Sequence, residues 1–377
     1  MQILVIGGGP AGFFAAIAAK KTYPHASVTL HERTNKVLSK VRISGGGRCN
    51  VTHSCFDPKE LVKNYPRGSK ELLGPFHRFQ PADTVEWFAE KGVELKTEAD
   101  GRMFPTTDSS QTIIDCLLTE AKRVGVEIKL QSKLSFEKLN ADRLILATGS
   151  TRGGFEIAQK FGHTIQPLVP SLFTFNIHDF PLESISGVSV ENVGLKLEGT
   201  KLCQQGPLLI THWGFSGPAA LKLSAFGARF LAENNYEVGL YIDWLPKFTI
   251  DELMSLLTSE HPAKKLSAIR SIPLPKRLWN LLCEDENQLL SRMSKPALRK
   301  LCEKLKADRY QVKGKTTNKE EFVTCGGVTL SEVNFKTMES KLHSGFYFCG
   351  EILDIDGVTG GFNFQNAWTT GWLAGTA

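Results

Sequence analysis

The sequence predicts an α/β fold interrupted by a small antiparallel β unit and a helical segment, and three observations carry that prediction. The chain opens on an apolar run, Gln2–Ile6, that passes directly into Gly7-Gly8-Gly9-Pro10-Ala11-Gly12. This is the strand–turn–helix pattern of a parallel, Rossmann-like sheet. Between residues 168 and 244, short alternating runs separated by Gly and Pro replace that pattern and suggest an antiparallel unit. Beyond Lys319 the strand-then-glycine pattern returns, so the first and last parts of the chain are expected to fold together around the insertion. A length of 377 residues accommodates two or three domains, and 41% hydrophobic with 22% charged residues is the composition of an ordinary globular chain.

In the opening turn Gly7 makes the tight bend, Gly9 lets the backbone approach a phosphate, and Gly12 lets the helix pack close on the strand. The helix, from about Ala11 to Lys20, has a small apolar inner face of Ala15, Ala16, Ala18 and Ala19, and its first N–H groups are donors for an anion. A second strand, Val28–His31, ends at Glu32, which lies 20 residues beyond Gly12, where a carboxylate meets the ribose hydroxyls of a dinucleotide. An acid there repels a 2′-phosphate, so FAD or NAD is expected rather than NADP. The segment after Glu32 reads as a loop ending in Ser44-Gly45-Gly46-Gly47-Arg48-Cys49-Asn50-Val51-Thr52, a flexible backbone suited to lie against a flat ring or a phosphate.

Next come an amphipathic helix over Pro81–Lys91, with Val85 and Phe88 inward, and a loop over Asp100–Pro105. A helix from Ser110 to Val124 has Asp108 and Gln111 at capping-box spacing and Gly125 as its stop. Strands Val126–Leu130 and Leu144–Ala147 follow. The second runs into Thr148-Gly149, an Ala-Thr-Gly ending that resembles two-dinucleotide-type flavoproteins, in which the chain passes close to FAD.

The antiparallel unit contains Thr211-His212-Trp213-Gly214-Phe215-Ser216-Gly217-Pro218, where His212 is a candidate catalytic residue. Residues Thr249–Arg309 read as helical, with a capping box at Thr249 and Glu252 and a buried face of Leu298, Leu301, Cys302 and Leu305. The net charge is +6, yet residues 262–319 alone hold fifteen Lys/Arg against five Asp/Glu, so one ordered segment carries the whole positive balance. A localised basic face points to a polyanion. The eight cysteines form no C-x-x-C pair, no run of eighteen apolar residues occurs, and the chain enters a strand at once, so no signal peptide and a reducing cytoplasm are expected.

Near the end, Phe346–Glu351 reads as a strand closed by a glycine and an acid, and Gly357, Gly360 and Gly361 precede a last helix opening at Phe362-Asn363. That helix start is placed to offer N–H groups to the edge of a flavin where negative charge develops on reduction. No second G-x-G-x-x-G occurs, so NAD(P)H is expected to visit transiently rather than to have its own domain.

The blocks Gly7–Gly12, Ser44–Thr52, Gly101–Pro105, Thr211–Pro218, Cys349-Gly350-Glu351-Ile352-Leu353-Asp354-Ile355-Asp356-Gly357 and Gly361-Phe362-Asn363 together resemble the BaiN/RdsA family of FAD/NAD(P)-dependent oxidoreductases, formerly labelled aminoacetone oxidases. The match runs in order over essentially the whole chain. Phe362 stands where tyrosine is usual, and Cys325 and Cys349 where small residues are frequent. The resemblance implies a Rossmann-like FAD-binding domain over 1–165 and 322–377, an inserted β-barrel over 166–248 and 311–321, and a basic helical domain over 249–310.

Family members are assigned as bile-acid dehydrogenases or ribosomal-RNA dihydrouridine synthases, and both activities concern a C=C conjugated to a carbonyl. The basic segment favours uridine in ribosomal RNA as substrate, with a small enone such as a bile-acid-like steroid as the alternative. A non-catalytic, RNA-binding or redox-sensing flavoprotein is a third reading. The residues expected around the tightly bound FAD are Gly7, Gly9, Pro10, Ala11, Gly12, Glu32, Arg33, Lys40, Gly46, Gly47, Arg48, Asn50, Val51, Thr52, Ala147, Thr148, Gly149, Gly350, Glu351, Asp356, Gly361, Phe362 and Asn363. Cys49 is the candidate proton donor, on the ground that a thiol beside the ring has a suitable pKa range, and His212 is the second candidate.

Overall fold

The computed structural model describes residues 1–133, 139, 141–283, 285–316 and 323–377. Contacts divide the chain into two units, Met1–Pro170 with Lys319–Ala377, and Ser171–Asn318.

The first unit is built on a seven-stranded sheet in the order β16 (Val333–Asn334), β17 (Glu339–Ser340), β18 (Phe346–Phe348), β7 (Arg143–Leu146), β1 (Gln2–Ile6), β2 (Ser27–His31) and β6 (Glu127–Lys129). The five strands from β18 to β6 are parallel, while β16 and β17 close one edge antiparallel. β1 is central, which is why Ile3, Leu4 and Val5 are all buried: a parallel strand covered on both faces needs a continuous apolar run.

Helix α1 (Pro10–Thr22) follows β1, and a Cβ on Gly12 would lie 1.9 Å from the Gly7 carbonyl oxygen, so only glycine allows the helix to sit this close to the turn. The last helix of the chain packs along α1 in the same way. An added Cβ on Gly371 would meet the Ala11 oxygen at 2.6 Å, and one on Gly375 the Ala15 oxygen at 2.4 Å. Two small faces thus bring the beginning and the end of the chain into backbone contact. Buried Gln365 fixes the register of that last helix: its Oε1 accepts from Thr52 (2.6 Å) and Thr84 (2.9 Å), and its Nε2 donates to Thr369 (3.0 Å).

A three-stranded sheet of β3 (Thr52–His53), β5 (Arg102–Pro105) and β4 (Leu95–Thr97) corrects the expectation of a loop over Asp100–Pro105. Only Asp100-Gly101 is the turn, Gly101 taking φ +86°, after which the chain pairs on both sides and buries Met103 and Phe104. Helix α2 (Ser110–Val124) is capped by Ser109, whose hydroxyl accepts from Gln111 N–H, and not by Asp108. Asp108 has φ 51°, and its carboxylate is taken by Lys96 and Arg48. Gly125 closes the helix in the left-handed conformation. Strands β8 (Ile165–Ser171) and β15 (Val323–Val328) pair as a separate ribbon.

The second unit is a closed barrel in the order β10 (Ser189–Leu197), β11 (Cys203–Ile210), β12 (Gly214–Ser216), β9 (Thr174–Ile177), β14 (Asp308–Thr316) and β13 (Glu237–Asp243), with β13 pairing back to β10. Phe175, Phe215, Leu240 and Trp244 are in its core, covered by α3 (Pro218–Phe226). Three helices, α4 (Ile250–Thr258), α5 (Lys276–Leu282) and α6 (Lys295–Lys306), lie between β13 and β14 in the chain. The α4 capping box forms in both directions, Thr249 N–H to Glu252 (2.7 Å) and Glu252 N–H to Thr249 Oγ1 (3.2 Å). Helix α6 buries Leu298, Leu301, Cys302 and Leu305 and exposes Arg299 and Lys300, whereas Lys306 is drawn into a pair with Asp243 at 2.6 Å. Barrel pairing begins at Asp308, so the last residues of the stretch read as helical, including Arg309, are strand. No helix among the described residues is long and apolar enough to cross a membrane.

Candidate nucleotide site

At the C-terminal end of β1, Gly7 takes φ +112° and its N–H donates to the His31 carbonyl (2.8 Å); a Cβ there would lie 2.3 Å from the Ala147 oxygen. Gly9 is the N-cap of α1, and a Cβ on it would meet nothing within 4 Å. No side chain caps this helix and no acid occupies its first turn; its intrahelical bonding starts at Phe13 N–H, which donates to the Gly9 carbonyl (3.0 Å), so the N–H groups of Ala11 and Gly12 are the ones an anion at this helix start would use. Glu32 is held rigidly at the end of β2. Its Oε2 accepts from Gly8 N–H (2.9 Å) and its Oε1 from Thr34 N–H (2.8 Å), which leaves further lone pairs for a ribose. Arg33 beside it is exposed.

The end of β7 brings Ala147, Thr148 and Gly149 to the same edge of the sheet. Thr148 Oγ1 is buried with no hydrogen-bond partner. Gly350 approaches α1 so closely that a Cβ would lie 2.7 Å from Ala11 Cβ, and its N–H donates to Thr370 (2.9 Å). Glu351 forms an ion pair with Lys40 and accepts from Thr324 N–H (3.2 Å), and a Cβ on Gly149 would stand 3.8 Å from its Oε2.

The glycine-rich stretch is a short helix broken at Ser44, after which Gly45, Gly46 and Gly47 all have positive φ. A Cβ at Gly46 or Gly47 would meet nothing, so this backbone is open to a flat ring. Arg48 is fully engaged by the protein: its Nε donates to the Gly45 carbonyl (3.4 Å), and the guanidinium pairs with Glu98 (2.7 Å) and Asp108 (3.5 Å) and lies 4.0 Å over the Phe104 ring. Lys96 and Arg48 together hold the Asp108 carboxyl below the usual carboxylate range.

Cys49 departs from the expectation of an activated thiol. It is 0% exposed, and burial pushes its thiol up to about 12 despite a hydrogen bond with Ser44, so it has no low-pKa character and no opening to a substrate. Asn50 holds two ends of the chain together, its oxygen accepting from Gly361 N–H (3.0 Å) and its amide nitrogen donating to the Thr52 carbonyl (3.0 Å). Val51 and Thr52 are buried, Val51 donating to Met103 O (2.9 Å) and accepting from Trp368 Nε1 (2.9 Å). They position the site rather than line it.

The last helix, α7 (Phe362–Thr376), begins at Gly361, again without a side-chain cap or an acid in its first turn. The Asn363 amide clamps the Gly357 backbone from both sides (2.8 and 2.9 Å), so its side chain holds the loop and only its N–H remains for a ligand. Phe362 stacks on His53 at 4.7 Å, and its carbonyl accepts from Tyr65 (2.7 Å). Asp356, expected at the cofactor, is fully buried in an ion pair with Arg67. Arg67 has no mark in the sequence; 289 residues separate it from its partner. His212 belongs to the other unit, exposed on the turn between β11 and β12.

Within the first unit, then, two glycine-led helix starts, a fixed carboxylate, an orphaned buried hydroxyl and an open triglycine backbone occur together. These residues fit FAD: anion donors for the pyrophosphate, Glu32 for the ribose, and the start of α7 with Gly46 and Gly47 for the ring.

The whole chain, residues 1–377, matches the family described as HI0933-like protein Rossmann domain. It is 30% identical to the ribosomal RNA dihydrouridine synthase of Haemophilus influenzae, over 98% of this chain and 96% of that protein. It is 28% identical to the 3-dehydro-bile acid delta(4,6)-reductase of Clostridium scindens, over 100% of this chain and 98% of that protein. Among solved structures, the 3-ketosteroid delta1-dehydrogenase of Sterolibacterium denitrificans shares the fold at TM-score 0.50 and 10% identity, covering 99% of this chain and 98% of that one. The chain therefore belongs to the HI0933-like Rossmann family and is an oxidoreductase of that family.

Proposed function

We propose that this protein is a FAD-dependent enzyme that uses NAD(P)H to reduce the C5=C6 bond of a uridine in ribosomal RNA. The observation that carries the FAD assignment is the pair of uncapped, glycine-led helix starts, at Gly9 and Gly361, drawn into one unit by the α1–α7 contact. Bound FAD would supply hydride to the base. The chain's own residues anchor the nucleotide through the α1 N–H groups and Glu32, and polarise the ring through the α7 N–H groups. Of the two candidate groups for protonation, we assign the role to His212, which is exposed, and not to the sealed Cys49.

Two features support RNA over a small enone: the dihydrouridine synthase relatives at 30% identity, and the excess of Lys/Arg between residues 262 and 319. The 28% identity to a bile-acid reductase supports the enone as the second reading. The cytoplasm, where ribosomal RNA is made, is the proposed location, and the three-part division into FAD, barrel and basic helical domains is the proposed organisation. The test is mass spectrometry of ribosomal RNA from cells lacking the protein. Loss of a two-hydrogen addition at one uridine supports the reading, and unaltered RNA moves the assignment to the enone.

A further inference from the structure

The barrel unit holds a cavity of about 300 Å³ that the nucleotide site does not use. It is bounded by the end of β9, residues 178–182, the end of α5, Lys304 of α6 and the start of β14. Apolar walls come from Ile177, Leu182 and Leu282, and Leu281, 40% exposed, stands at its edge.

Asp308, 8% exposed, is part of the lining. Two donors, Trp244 Nε1 (2.9 Å) and the Tyr310 hydroxyl (2.6 Å), converge on the same oxygen, Oδ2. Oδ1 receives no donor among the described residues. A nearly buried carboxylate satisfied at one oxygen calls for a further N–H or O–H donor from whatever fills the space.

The volume is at the small end for a ligand site, the size of one flat ring system rather than a steroid or a dinucleotide. Cations are present but committed: Arg309 forks onto Glu198 (2.7 and 3.1 Å), and Lys304 donates to the Leu282 carbonyl (3.3 Å). The cavity is therefore not a phosphate cradle. Its wall is continuous with an exposed aromatic, since Ile177 N–H donates to the carbonyl of Trp213 (2.8 Å), whose side chain is 64% exposed on the same turn as His212. Exposed aromatics beside a hydrogen-bonding pocket are the means by which proteins hold splayed single-stranded bases.

We propose that this cavity is a docking pocket for one nucleobase of single-stranded RNA, with a base N–H donating to Asp308 Oδ1 and Trp213 offering a face to a neighbouring base. The proposal rests on the RNA reading above and adds to it a base-selective contact outside the flavin site.

The test uses the FAD-loaded full chain and ten-nucleotide oligo(A), oligo(C), oligo(G) and oligo(U), with binding followed by fluorescence anisotropy. Wild type should prefer one base at least tenfold. Asp308→Asn should abolish that preference, and Leu281→Glu, at a tolerant edge position, should weaken all binding at least fivefold. Flavin absorbance and its anaerobic bleaching by NAD(P)H should be unchanged in both variants. If both variants bind as wild type does, or if wild type binds the four oligonucleotides without preference or not at all, the pocket proposal is wrong. Dihydrouridine formation on ribosomal RNA is scored in parallel, so the RNA reading stands or falls separately. Saturable binding of putrescine with no oligonucleotide binding would assign the cavity to amines and overturn the proposal.

Discussion

Cys49 and Arg48 show what a residue's neighbours in space do that its neighbours in sequence do not reveal. A thiol expected beside the flavin ring reads as a proton donor, yet Cys49 is sealed and burial pushes its thiol up to about 12, while the guanidinium of Arg48 reaches Glu98 and Asp108. Those partners lie 50 and 60 positions downstream of Arg48, beyond any local pattern. The tight turn at Gly7 and the close packing at Gly12 were legible, because both are set within one strand–turn–helix. Asn363 and Asp356 were expected at the cofactor, but their side chains are taken by Gly357 and Arg67, partners that nothing local in the sequence marks. At this scale His212→Gln should lower turnover with the reducible substrate by about 10²-fold or more, the usual range for a positioned acid, and leave flavin bleaching by NAD(P)H intact. Cys49→Ala should keep turnover within a few-fold. The reverse ranking in steady-state assays would return the donor's role to Cys49.

At the scale of elements, the decisive contact is helix α7 on helix α1. The sequence shows a small-residue face in α1 and Gly371 and Gly375 four apart near the end, but nothing local says that the two faces meet. An added methyl at Gly371 would press on the Ala11 backbone at 2.6 Å, so Gly371→Ala should destabilise by about 1–3 kcal/mol, the cost of overpacking. Gly153, in the helix Arg152–Lys160 with nothing within 4 Å of an added methyl, is the control. Gly153→Ala should stabilise by about 0.4–1 kcal/mol through the unfolded chain. Urea unfolding curves separate the two, and equal effects would contradict close packing of the helices. Strand β5 is the element the sequence misled on: Asp100-Gly101 is a true turn signal, and the four residues after it are too few to show a period.

At the scale of the molecule, the α/β class, an inserted antiparallel unit and the amphipathic character of α6 were readable from period and punctuation, the closure of that unit into a barrel was implied by the family resemblance, and the cavity beside Asp308 was not readable at all. It is assembled from β9, α5, α6 and β14, which are more than 100 residues apart at the extremes. Global stability should also report two buried histidines. Burial holds His31 and His163 below the ordinary histidine value, so the folded state binds fewer protons than the unfolded chain as pH falls through about 6.5. Stability is therefore full above that value and declines toward lower pH. The melting temperature should fall between about pH 7 and pH 5, and a flat profile would contradict the burial of these rings.

The most direct measurement of the central claim is an anaerobic absorbance titration of the purified holoprotein. NAD(P)H should bleach the flavin band, and unmodified ribosomal RNA should then restore it, with a two-dalton gain at a uridine in the recovered RNA. A colourless protein that takes up no FAD, or a reduced flavin that RNA leaves bleached and unmodified, would contradict the account.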